Sequence, residues 1–130
     1  MATLNEKQTK LFQDPNYGHV GTIRKDGTPQ VTPVWIDIED GTPMFNTAVG
    51  RVKYENIKRD PRVTIEVQNH ENPYEYVMVS GTAELEESEA AERHIDKLAK
   101  KYLGVDEYPN RTEGERRVLV RVTPERVAPK

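Results

Sequence analysis

Apolar residues at every second position recur along most of this chain, and that pattern limits it to a fold of strands with one buried face. In "YGHVGTIRKDGTPQVTPVWIDIEDGTPMFNT" the dipeptides Asp26-Gly27 and Asp40-Gly41 separate runs rich in Val, Ile and Thr, which predicts a three-stranded antiparallel meander. Further on, Val63, Ile65 and Val67 alternate with polar residues, and Val77, Val79, Gly81, Ala83 and Leu85 share one face. Val118, Val120 and Val122 repeat the pattern. Six strands in 130 residues predict a small antiparallel barrel rather than an open sheet with long edges, and the length fits one domain. Gly81, alone inside a strand pattern, predicts a bulge or the close approach of another backbone.

Three stretches follow a helical period instead. "SEAAERHIDKLAKKYLG" sets Ala91, Ile95, Leu98 and Tyr102 on one face, with Ser88 as N-cap and Gly104 as C-cap. "TLNEKQTKLFQDP" predicts a short helix entered through a capping box of Thr3 and Glu6 and ended by Asp14-Pro15. "GRVKYENIKRDP" predicts two or three turns, with Tyr54 and Ile57 facing inward and Asp60-Pro61 as the stop.

That last helix carries Arg51, Lys53, Lys58 and Arg59 in a chain of net charge −3. Lys58 and Arg59 suit its C-terminal end, where the helix dipole favours cations. Arg51 and Lys53 fall in the first turn, where free N–H groups favour acids, so an anion would explain them. Thr47, Gly50, Arg51 and Lys53 together could form a phosphate site of hydroxyl, bare backbone, guanidinium and ammonium. Charge pattern alone leaves two readings open, a solvated surface helix and an anion site, and favours the first.

Composition narrows the function classes. With no cysteine there are no disulfides, thiolate nucleophiles or zinc–cysteine sites. His19, His70 and His94 lack the short spacings of a metal centre, so no metal is expected and each His has an ordinary structural reading. The acidic balance, with Glu66, Glu84 and Glu86 on strands, argues against nucleic acid as a partner. No run approaches membrane-spanning length, and the opening residues lack a signal-peptide core, so a soluble cytoplasmic protein is expected. Only 35% of residues are hydrophobic, which makes association with a second copy a reasonable expectation.

Four segments carry a resemblance: "GTPQVTPVWID", "FNTAVGRVKYENIKRDPRVTIEV", "NPYEYVMVSGTAEL" and "HIDKLAKKYLG". In order and spacing they resemble the pyridoxamine 5′-phosphate oxidase-like superfamily, and within it the small F420-dependent flavin/deazaflavin oxidoreductases of the B type. The resemblance spans roughly Gly18 to Val127. It implies a split β-barrel homodimer with sites at the subunit interface, binding coenzyme F420 or, alternatively, FMN. By position it assigns Gln30, Val31, Thr32, Pro33 and Val34 to the strand along the deazaflavin ring, and Asn46 and Thr47 to the phosphodiester linker. Gly50, Arg51, Lys53 and Asn56 fall at the phosphate and tail end. Trp35, Tyr74 and Tyr76 are implied near the ring or the substrate pocket.

Such an enzyme would pass a hydride from reduced F420 to an organic acceptor such as an enone, quinone or tetrapyrrole-like molecule. The cofactor carries the difficult step, so no side-chain nucleophile is required. A proton donor is needed, and Tyr74, Tyr76, His70 or water are the candidates. The alternatives are an FMN-binding oxidase or electron-transfer flavoprotein and a non-catalytic F420 carrier. The absence of the extended pyridoxal-phosphate-binding segments argues against true pyridoxamine phosphate oxidase activity.

Overall fold

The structure, a computed structural model, describes residues 2–130. Six strands run in chain order: β1 (Tyr17–Ile23), β2 (Pro29–Glu39), β3 (Thr42–Ala48), β4 (Arg62–Asn69), β5 (Asn72–Glu86) and β6 (Arg117–Ala128). Helices α1 (Glu6–Gln13), α2 (Val52–Arg59) and α3 (Glu89–Leu103) interrupt them. The strands close into a barrel of order β1-β2-β3-β6-β5-β4, with every neighbouring pair antiparallel. The predicted meander is β1-β2-β3. Its second turn places both Asp40 (φ 51°) and Gly41 (φ 79°) at positive φ, the requirement of a tight hairpin that matches strand twist.

Alternation decides what fills the barrel. Val20, Phe45, Ile65, Val67, Val77, Val79, Val118, Val120 and Val122 are fully buried in one cluster, which α1 completes with Leu11 and Phe12 and α2 with Tyr54 and Ile57. Each such side chain contributes about 1.5–3 kcal/mol on burial. At Gly81 the register of β5 against β6 shifts, and a Cβ there would lie 1.9 Å from the carbonyl oxygen of Thr123. Bulge and close approach occur together.

Helix ends are set by local chemistry. α3 begins at Ser88, whose side chain accepts from the Ala90 N–H, and ends at Gly104 in the left-handed region (φ 73°). At α1 the predicted box is displaced: Asn5, not Thr3, is the N-cap, and the reciprocal partner is Gln8 rather than Glu6. The side-chain oxygens of Asn5 and Gln8 each accept the other's backbone N–H, at the same spacing, so the motif sits two residues further on. α2 begins one residue later than predicted, which makes Arg51 its N-cap, with no side-chain capping bond. No helix of the described residues is long and apolar enough to cross a membrane.

Candidate functional site: a cationic cleft beside α3

α3 packs outside the barrel across β2, β3 and β6. At the edge of that packing lies a cleft of about 280 Å³. β2 contributes Pro33, Val34 and Trp35, β3 contributes Asn46, the β3–α2 turn contributes Arg51, and α2 contributes Lys53. β1 adds Tyr17, α3 adds Ile95 and Leu98, β6 adds Arg117, and the loop before β6 adds Tyr108 and Asn110. Three of these residues are cationic and none is acidic.

The cations are held differently. Arg51 is half-exposed and reaches Glu115 at 3.4 Å. Arg117 is 5% exposed; its Nη1 donates to Glu115 Oε1 (3.0 Å), its Nε to Asn46 Oδ1 (2.8 Å), and its guanidinium covers the Tyr108 ring. Burial would raise the Glu115 carboxyl, but Arg117 and Arg51 outweigh it and hold it below its ordinary value. Lys53 is half-buried, contrary to the solvent-facing position expected of a residue on an exposed helix end, and lines the cleft with Arg51 and Arg117. Burial, then the Arg51 and Arg117 charges, push its ammonium below the usual lysine range. Among the described residues no carboxylate pairs with it.

Aromatic rings wall the other end. Trp35 stacks on Tyr102 at 5.4 Å and 7° and meets Tyr108 edge-on, while Tyr17 also stacks on Tyr102, at 5.7 Å and 29°. The Tyr102 hydroxyl donates to Asn16 O (2.5 Å) and accepts from the Ile36 N–H (3.0 Å), which fixes the ring on which Trp35 lies. Burial pushes that hydroxyl up to about 12. Beside it, Lys101 Nζ donates to the carbonyls of Phe12 and Ile36, and burial lowers it to about 8.

The structure sorts the residues implied by the resemblance. Pro33, Val34, Trp35, Asn46, Arg51 and Lys53 meet in the cleft. Gly50, at φ 90° with open space around it, turns the chain into Arg51. Gln30, Val31 and Thr32 continue along β2 away from the cleft, with Val31 on the outward face and 61% exposed. Thr47 points inward beside Phe45 and Val118 and is buried, so it lies behind the cleft wall; its parity with Phe45 in β3 carries that information. Asn56 is also buried: Nδ2 donates to Thr22 Oγ1 (3.0 Å) and Oδ1 accepts from Arg59, so its amide is engaged within the fold and does not border the cleft. Tyr74 and Tyr76 stand on the β4–β5 hairpin beside a separate depression lined by α1 and the C-terminal residues. His70, in the same hairpin, bonds to Asn16. None of these three borders the cleft of its own chain.

Arg117, Tyr108 and Asn110 escaped the reading of the sequence. Arg117 sits in "GERRVLV", where a charge run suggests a solvated loop, and only the β3–β6 register brings it opposite Ala48 and beside Asn46. His19 was given an ordinary role in β1, and it does sit there. Its ladder partner is the cleft-lining Pro33, however, and its Nδ1 lies 3.0 Å from Glu66 Oε1, so a histidine–carboxylate pair stands next to that strand position. No group of three or more metal-ligating side chains occurs among the described residues.

A closed six-stranded antiparallel barrel with helices packed outside it defines a split barrel, here with a cation-lined, aromatic-walled cleft. The family follows from comparison: a model described as pyridoxamine 5′-phosphate oxidase matches residues 4–130, and the chain belongs to that family. Among solved structures it is similar to an F420 reductase, with 31% identity and a TM-score of 0.81 over 96% of this chain and 98% of that one. A conserved hypothetical protein of Mycobacterium tuberculosis matches with 27% identity and a TM-score of 0.75, over 95% of this chain and 82% of that one. General Stress Protein 26 of Bacillus anthracis matches with 25% identity and a TM-score of 0.69, over 94% and 89%. A search of curated proteins found no match.

Proposed function

We propose that this protein is an F420H2-dependent reductase acting on a conjugated organic acceptor. The observation that carries the reading is Lys53. Its ammonium is half-buried between two guanidiniums with no acid of its own, an arrangement that costs free energy until an anion enters. Coenzyme F420 carries a phosphodiester and an oligoglutamate tail, so a cleft with three cations and no lining acid fits it. Similarity to a solved F420 reductase along nearly the whole of both chains supports the choice of cofactor.

When bound, reduced F420 supplies a hydride from its ring carbon. The chain's residues do the rest. Arg51, Lys53 and Arg117 hold the anionic end, with Arg51 and Lys53 half open to a long tail. Pro33 and Val34 offer backbone and apolar contact along β2, and the Trp35–Tyr102 stack makes a rigid wall that excludes water. His19 is suited to hold the proton that the reduced acceptor needs: with Nδ1 on Glu66, its Nε2 is the nitrogen left for exchange. Two copies packed over the outward β1–β2 face would enclose the ring end of the cleft.

FMN is the second reading, favoured by the family model itself and by the same cations, which would hold its terminal phosphate. Titration of the purified protein with F420 and with FMN, followed by fluorescence, separates the two. Tight F420 binding with weak FMN binding is expected, and the reverse would overturn the proposal. F420 bound in reduced form that never loses its hydride to a panel of enones and quinones would favour a carrier role instead.

A further inference from the structure

Beneath α3 a chain of buried polar groups runs from the cleft into the protein. The Arg117 Nε–H donates to Asn46 Oδ1 (2.8 Å), and Asn46 Nδ2 donates to the carbonyl of Ala91 (3.0 Å) and lies 3.2 Å from His94 Nδ1. His94 Nε2 lies 3.4 Å from Asp37 Oδ2, which is also 3.2 Å from Lys97 Nζ; these are charge contacts, and neither His94 Nε2 nor Asp37 Oδ2 makes a hydrogen bond. Arg117, Asn46, His94 and Asp37 are each no more than 8% exposed.

The partners leave one arrangement. A guanidinium only donates and a carbonyl only accepts, so the Asn46 amide is fixed with Oδ1 toward Arg117 and Nδ2 toward Ala91 and His94. His94 Nδ1 must therefore accept, which puts the ring proton on Nε2, facing Asp37. Both N–H groups of the Asn46 amide are committed, so Asn46 lines the cleft without a donor to spare for an anion. We propose that His94 and Asp37 are positioning residues: through Asn46 they hold the Arg117 guanidinium at the anion end of the cleft, and protonation of His94 Nδ1 releases it. A proton on Nδ1 sets donor against donor at Asn46 Nδ2. The amide then either loses that contact or turns over, and a turned amide presents its NH2 to the Arg117 Nε–H. This rests on the cleft binding an anion, as proposed above.

Charged groups around His94 do not imitate the effect. Asp37 on β2 is raised by burial but lowered further by the His94 ring, the Ile38 N–H and Lys97, and lies at about 2, so it stays ionised. Lys101 on α3, lowered to about 8 by burial, stays cationic at and below neutrality, Lys97 on α3 faces Asp37, and Glu92 holds the Arg117 backbone N–H (3.0 Å). Glu115, if protonated, would free Arg117 and Arg51 for an anion and strengthen binding, the opposite sign.

The test needs no active enzyme. Nitrogen-15 NMR of the protein without cofactor should show His94 in the Nε2–H form and a slowly exchanging Arg117 Nε–H at pH 7.5, lost at pH 5.0. An Nδ1–H tautomer, or an Arg117 signal indifferent to pH, overturns the proposal. His94→Asn keeps an acceptor near the Nδ1 position and cannot titrate. In wild type, F420 affinity read through Trp35, the chain's single tryptophan, should fall about tenfold between pH 7.5 and 5.0. In His94→Asn the change should stay within about threefold, and in His94→Phe binding should be weak at both pH values. Equal pH dependence in wild type and His94→Asn sinks the idea. Failure of F420 to bind at any pH would remove the proposed function, while the NMR readout would still decide the relay.

Discussion

Lys53→Ala removes a half-buried cation that has no acid beside it, so stability should stay within about 0.5 kcal/mol of wild type while F420 affinity drops at least tenfold. Arg51→Ala should weaken F420 less, because Arg51 is half-exposed and shared with Glu115. Unchanged affinity in the double variant would remove the anion site. Thr47 tests the opposite assignment. Its buried Oγ1 has no hydrogen-bond partner, so Thr47→Val should stabilise by about 1 kcal/mol in urea unfolding and leave cofactor affinity alone. Asp37 gives a pH-linked prediction. Its folded carboxyl lies at about 2 against an ordinary 3.8, so the folded state binds fewer protons there than the unfolded one. The stability it contributes, about 2 kcal/mol, is present above pH ~4 and lost as pH falls through 2, and Asp37→Asn should flatten that limb of the acid-unfolding curve. Among the residues that border the cleft, Arg51 and Lys53 stood out because basic residues at a helix start oppose the dipole, although charge pattern alone favoured a solvated helix. Arg117 did not, since its burial depends on a strand pairing across some seventy residues and its neighbours read as solvent-exposed.

Elements were easier to read than sites. Strand alternation, the Asp40-Gly41 hairpin and the Ser88 and Gly104 caps are local, so the sequence around each one determines it. The α1 cap shows the limit: two overlapping motifs within six residues compete, and Asn5 with Gln8 wins because both reciprocal bonds form. Placement of a side chain in front of or behind a wall depends on parity within the strand. Positions 46 and 47, treated alike as both beside a linker, therefore stand on opposite faces of β3, Asn46 bordering the cleft and Thr47 in the barrel. Gly81→Ala belongs to this scale. Its Cβ would meet the Thr123 carbonyl, which is backbone of the neighbouring strand and has no rotamer to yield, so a loss of about 3 kcal/mol or more is expected in denaturant unfolding. A neutral result would mean that β5 and β6 can separate there.

At the scale of the whole molecule, the outward face of β1, β2, β4 and β5 carries Val31 and Met78, both exposed, and holds a depression of about 670 Å³ that Val31 lines. The homodimer proposed here should appear in sedimentation equilibrium, and Val31→Arg should shift it toward monomer and weaken F420 binding together. A wild-type monomer that still binds F420 tightly would separate the cofactor from the dimer. The order of the barrel has a kinetic consequence as well. β6, the last strand in the chain, is inserted between β3 and β5, and it also carries Arg117. While the polypeptide is being synthesised, β3 and β5 stay as two sticky margins with no mate until residues 117–128 emerge, because the partners lie far apart in sequence. The closing strand is a keystone that arrives last. The nascent chain passes through a window of self-association that ends in the same step that delivers the third cation to the cleft.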